Sequence, residues 1–158
     1  MSDVRAFLLE QDAIYVGGGN TANMLAVWRA QGMDEIVREA WERGVVLSGV
    51  SAGAMCWFEA STTDSFGPEI QPLADGLGFL AGSFTPHYGQ PMRRPTLQRL
   101  VADWFPAGLA ADDSVACHFV GTELAEVLTS REGARAYRVS RDVDGSVREQ
   151  PIEPLRIV

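Results

Sequence analysis

The chain has 158 residues, 46% of them hydrophobic and 22% charged, which is the length and balance of one ordinary globular domain spanning 1–158. Thirteen basic against 21 acidic side chains leave a net charge of −8, so a phosphate-neutralising nucleic-acid surface is excluded and Arg93-Arg94 with Arg99 reads as a solvated helix start. No apolar run approaches the roughly 18 residues of a membrane span, and the opening MSDVRAFLLEQD lacks the apolar stretch and cleavage site of a signal peptide.

Ala13 to Val16 predicts a short buried strand, stopped by Gly17-Gly18-Gly19. Asn20 or Thr21 caps the following helix, which carries Met24, Leu25 and Trp28 and ends at Gly32. Asp34 is expected to cap a second helix, with Ile36, Val37, Ala40 and Trp41 on one face and Gly44 as its stop. Val45 to Leu47 reads as the next strand. The turn Gly49-Val50-Ser51-Ala52-Gly53 then leads into an apolar segment, Ala54 to Phe58, expected to be helical. Residues 59–79, rich in Ser, Thr, Gly, Pro and Asp, read as one long loop, a length that implies a task such as covering a site. Gly78 to Pro86 predicts a strand ending at His87, and Pro95 suits the first turn of a helix bearing Leu97, Leu100, Val101, Trp104 and Phe105. Strands are expected over Val115–Val120, Leu124–Leu128, Ala134–Val139 and Leu155–Val158, with a hairpin turn at Asp144-Gly145. The alternation of strand and helix implies a mostly parallel sheet flanked by helices, with ligands at the carboxyl ends of the strands. The glycine run, Ser51 and His87 each follow a predicted strand and therefore share one sheet edge.

Gly49 to Gly53 matches the G-x-S-x-G turn that pushes a serine hydroxyl out of a sheet between small neighbours. The Ala52 amide, at a helix start, is placed to donate to an oxyanion. Gly17 to Asn20 admits three readings: a second oxyanion donor, a phosphate loop, or a plain tight turn. Phosphate is the weakest of these, because Ala22 stands where a dinucleotide fingerprint needs glycine and the chain has no lysine. A serine nucleophile needs a base, and His87 is preferred to His118, which sits inside an alternating strand. The orienting carboxylate is Asp112 or Asp113 after Gly108–Ala111, with Asp64 and Glu69 as alternatives from the long loop. Cys56 and Cys117, both in apolar contexts, read as buried free thiols of a reducing cytoplasm. With only two histidines, neither a metal site nor a cofactor is expected.

Taken together, YVGGGNT, GVSAGA, TPHY and the following Ala-Asp-Asp resemble the S51 peptidase family, whose members include peptidase E (aspartyl dipeptidase) and cyanophycinase. The resemblance runs from about Ala13 to Val139 and implies a three-layer sandwich similar to flavodoxin and to class I glutamine amidotransferases. By that resemblance Ser51 is the nucleophile, His87 the general base and Asp113 the third acid. Gly19 and Ala52 would supply the oxyanion amides, and Asn20 with Arg94, or its neighbour Arg93, would contact substrate. The family's further βαβ portion before the glycine strand is expected to be missing here, and the ending at Val158 is that of a short branch. Ser61-Thr62-Thr63-Asp64 offers no cation after GVSAGA, which speaks against Asp-X dipeptidase specificity.

The expected protein is therefore a cytoplasmic serine peptidase that cleaves small peptides through an acyl-enzyme, with a sheet edge open to homodimer formation. Two other readings are a non-catalytic binding or regulatory domain and a small-molecule esterase. The esterase is disfavoured because His87 precedes the candidate acids in the chain.

Overall fold

A computed structural model describes residues 3–157. After a short helix, α1 (Val4–Leu9), the strand β1 (Ala13–Val16) leads into α2 (Thr21–Gln31) and α3 (Met33–Glu42). Asn20 caps α2 by accepting the Asn23 N–H, and Gly32 closes it in the left-handed conformation at φ 68°. The same Gly32 starts α3, so Asp34 is not its cap; Asp34 and Glu35 instead place their charges in the first turn, against the helix dipole. Then come β2 (Val46–Gly49), the single turn α4 (Ala52–Met55), β3 (Phe58–Thr63), β4 (Gln71–Leu73) and β5 (Leu80–Thr85). The second half holds α5 (Arg93–Asp103), β6 (Gly108–Ala111), β7 (Val115–Val120), β8 (Glu123–Thr129), β9 (Ala136–Arg141), β10 (Val147–Ile152) and β11 (Leu155–Arg156). Val158, part of the last expected strand, lies outside the described residues.

The sheets are mixed, which corrects the expectation of a mostly parallel one. β1 and β2 form a parallel pair, and a six-stranded sheet runs β10-β9-β6-β5-β3-β4. Within it β3/β5 and β5/β6 are parallel, whereas β3/β4, β6/β9 and β9/β10 are antiparallel. A third sheet, β11-β8-β7, joins an antiparallel hairpin to a parallel edge. The physical reason is connection length: β7/β8 and β9/β10 are joined by short turns, and a short turn can only reverse the chain.

The stretch after Ser51 is also corrected. The expected helix Ala54–Phe58 is shorter and earlier, and much of the expected loop is strand, with β3 buried on both faces through Ala60, Ser61, Thr62 and Thr63. Ser and Thr read as polar in sequence, yet their short hydroxyls can be satisfied inside. Thr62 donates to the Thr85 hydroxyl at 2.9 Å, and Thr63 shares a 2.7 Å bond with Ser65. One core cluster (Val16, Leu25, Val37, Met55, Phe58, Phe84, Leu109, Val127) lies under α2, α3 and α4. The other (Tyr88, Leu97, Leu100, Val101, Phe105, Val139) lies under α5. Among the described residues no helix is long and apolar enough to cross a membrane.

Candidate active site

Ser51 sits between β2 and α4 at φ 52°, ψ −113°, a backbone conformation that L-residues rarely adopt. The turn is held by its neighbours: the Val50 N–H donates to the Val16 carbonyl at 3.1 Å, and the Ser51 carbonyl accepts from Ala54 and Met55. Both flanking glycines are required by close backbone approach. A β-carbon on Gly49 would lie 2.1 Å from the Gly53 carbonyl oxygen, and one on Gly53 would lie 2.1 Å from that of Val16. The motif thus lets the start of α4 sit directly on the end of β1.

β5 ends at Thr85, and His87 follows at φ 56°, a second strained position. β6, parallel to β5, ends at Ala111 and delivers Asp112 and Asp113 beside it. The result is a continuous line: the His87 Nε2 is 3.1 Å from the Ser51 Oγ, and the His87 Nδ1 is 2.5 Å from the Asp113 Oδ1. The carboxylate can only accept, so it fixes the proton on Nδ1 and turns the lone pair of Nε2 toward the serine hydroxyl.

Of the four carboxylates considered from sequence, Asp113 is the one in contact with His87. Asp112 is turned away; its Oδ2 accepts the Arg135 N–H at 3.1 Å while its own N–H donates to the Arg135 carbonyl. Asp64 pairs with Arg93 at 3.2 Å, and Glu69 is exposed on a bend. His118 lies on β7, 3.6 Å from Glu126.

The glycine loop passes against the serine, since a β-carbon on Gly18 would sit 3.5 Å from that of Ser51. Gly19 has φ 150°, open to glycine alone in practice. Ala52 is the first residue of α4, and its N–H has no acceptor within so short a helix. Asn20, expected at substrate, is spent on structure: its Oδ1 caps α2 and its Nδ2 donates to the Ser65 carbonyl at 2.8 Å. Ser65 in turn accepts the Ala22 N–H, strapping the segment after β3 over the glycine loop. Arg94, also expected at substrate, points elsewhere. It makes a forked pair with Glu149 on β10, at 2.6 and 3.1 Å, and lies over the rings of Tyr88 and Tyr137. Arg93 is buried at 4% exposure and donates to the Thr62 carbonyl and to Asp64. A cavity of about 520 Å³ opens beside Leu80, Gly108, Phe119 and Arg138, at the start of β5 and β6 and away from this line of residues.

Sequence reasoning missed the Ser65 strap and the role of Glu149. Neither leaves a signal, because a serine in a polar stretch and a glutamate in an alternating strand both read as solvated.

Serine, histidine and carboxylate are thus aligned at the carboxyl ends of strands in a mixed α/β fold, an order in which an imidazole can take a proton from a hydroxyl. The comparisons narrow the class: the Peptidase family S51 profile matches residues 1–127, and the chain belongs to that family. It is 52% identical over 140 residues to an uncharacterized peptidase, YgaJ, of Bacillus subtilis (strain 168), covering 87% of this chain and 60% of that protein. It is also 32% identical over 90 residues to a peptidase E of Streptomyces coelicolor (strain ATCC BAA-471 / A3(2) / M145), covering 56% of this chain and 37% of that protein. The matched stretch thus covers less than two thirds of the length of each of these relatives.

Proposed function

We propose that the protein is a serine peptidase that cleaves small peptides through an acyl-enzyme. The observation that carries the proposal is the Ser51–His87–Asp113 line, with gaps of 3.1 and 2.5 Å. The Ser51 hydroxyl attacks the scissile carbonyl carbon while the His87 Nε2 takes its proton. Asp113 holds the imidazole in the right tautomer and stabilises its charged form. The Gly19 and Ala52 amides receive the oxyanion of the tetrahedral intermediate. Collapse expels the amine, which leaves with the proton from His87, and water then repeats the sequence on the acyl-enzyme.

The substrate class in this reading is a small peptide without an Asp-X requirement. Its support is that Arg93 and Arg94, the cations next along the chain from His87, are already paired with Asp64 and Glu149. The same reading takes the chain as one domain of the glutamine amidotransferase-like kind, working in the reducing cytoplasm. The free state of Cys56 and Cys117 supports that compartment.

The test is intact-mass labelling with a fluorophosphonate probe, followed by hydrolysis of a dipeptide and tripeptide panel. Wild type gains one adduct, Ser51→Ala gains none, and Asp113→Asn loses on the order of 10⁴ in rate. Asp112→Asn retains activity, because its carboxylate serves the Arg135 backbone. No adduct on the wild type, or turnover unchanged in Ser51→Ala, sinks the mechanism and leaves a non-catalytic binding domain.

A further inference from the structure

His87 holds a strained backbone, and its imidazole must meet Ser51 on one side and Asp113 on the other. The residue that follows it is anchored in both directions. The Tyr88 N–H donates to the Ala111 carbonyl at 3.0 Å, joining the histidine segment to the strand end from which Asp112 and Asp113 emerge. The Tyr88 side chain is 1% exposed, with its ring centroid 5.2 Å from that of Tyr137. Its hydroxyl donates to the Glu149 Oε2 at 2.6 Å.

Glu149 is a saturated acceptor. Besides Tyr88 it receives the Arg94 Nε at 3.1 Å, the Arg94 Nη2 at 2.6 Å and the Gln98 Nε2 at 2.9 Å. Three side chains from residues 88–98, the stretch from His87 into α5, thus converge on one carboxylate of β10. A buried tyrosine hydroxyl costs free energy unless it is paired, and an ionised acceptor makes the stronger bond. Core filling alone would be served by phenylalanine.

We propose that Tyr88, held by Glu149, is a positioning residue for His87: it fixes where the strained segment places the imidazole relative to Ser51 and Asp113. The inference rests on the serine mechanism proposed above. The hydrogen bonds of Tyr88 go to Ala111 and Glu149 and not to Ser51, His87 or Asp113, so it acts on the rate of proton transfer and not on ligand affinity. Misplacing a base by a fraction of an ångström is enough to slow a reaction whose geometry is otherwise intact.

The test is the phosphonylation of Ser51 by a fluorophosphonate, in which the serine oxygen displaces fluoride from phosphorus. The readouts are the rate constant at saturating probe and the half-saturating concentration. Tyr88→Phe and Glu149→Ala are each expected to lower the rate constant about tenfold while half-saturation stays within about twofold, and the double variant is no slower than either single. Glu149→Gln, which keeps an acceptor for the hydroxyl, restores most of the rate. Tyr88→Phe keeps the ring and therefore the fold, which a thermal melt checks. A folded Tyr88→Phe that reacts at the wild-type rate, or that changes half-saturation alone, overturns the positioning role while the serine mechanism stands. A wild type that takes no label overturns both.

Discussion

Gly49 and Gly53 flank Ser51, and the space a side chain would need at either is filled by backbone, not by a movable side-chain tip. For Gly53 the obstruction is the Val16 carbonyl at 2.1 Å and that of Gly17 at 2.8 Å. Gly53→Ala must therefore push α4 off the end of β1, and overpacking of this kind costs about 1–3 kcal/mol and occasionally more. Urea denaturation measures it; a loss below about 1 kcal/mol would show that the helix start yields easily. Ser51 itself has to tolerate φ 52° because the chain turns from strand to helix with no intervening loop. The pentapeptide made that turn legible. It did not show why the second glycine is needed, since its obstacle comes from β1, far away in sequence.

Elements differ in how much of their environment the sequence carries. α2 was readable to its ends, because Asn20 caps it and Gly32 stops it through local backbone chemistry. β3 was not. Its Ser61-Thr62-Thr63 run resembles a loop until β5 supplies Thr85 as a partner. β10 is similar, since Glu149 only acquires its meaning from α5 and Tyr88. Burial works to raise the Glu149 carboxyl. Hydrogen bonds from Arg94, Tyr88 and Gln98, with the charge of Arg94, outweigh that and hold it below the ordinary glutamate range. A depressed folded value means that Glu149 adds stability above about pH 4.3, the unfolded glutamate value, and that this contribution is lost as pH falls through the folded value. Thermal midpoints of wild type and Glu149→Gln should accordingly converge as pH is lowered from 6 toward 3. A gap that stays constant over that range would show that the carboxylate is not the stabilising species.

Across the whole molecule, protection is unevenly distributed. The six-stranded sheet has core on both sides, whereas the β1–β2 pair has its inner face on the core shared with α2 and α3 and, among the described residues, no layer on its outer face. Tyr15 is 68% and Val46 61% exposed on that outer face, beside Ala13 and Ser48. Two strands open on one side are marginal by themselves, and parallel sheets are normally covered on both faces. Hydrogen exchange followed by mass spectrometry should show β1 and β2 amides exchanging well ahead of those in β3 and β5. Equal protection would mean that the bare face is covered in solution, as by a second copy of the chain.

The sequence by itself determined what depends on neighbours along the chain. That covers the helix caps, the glycine-flanked turn at Ser51, the strand that leads to His87, and the family resemblance carried by those motifs. The tertiary structure decided what depends on partners distant in sequence. It brings Asp113, and not Asp112, against the His87 imidazole, and it engages Asn20 and Arg94 in contacts within the fold. It also turned a mostly parallel expectation into mixed sheets. Strand direction and the carboxylate that lies beside His87 both depend on which segments end up side by side, and residue types alone do not encode that.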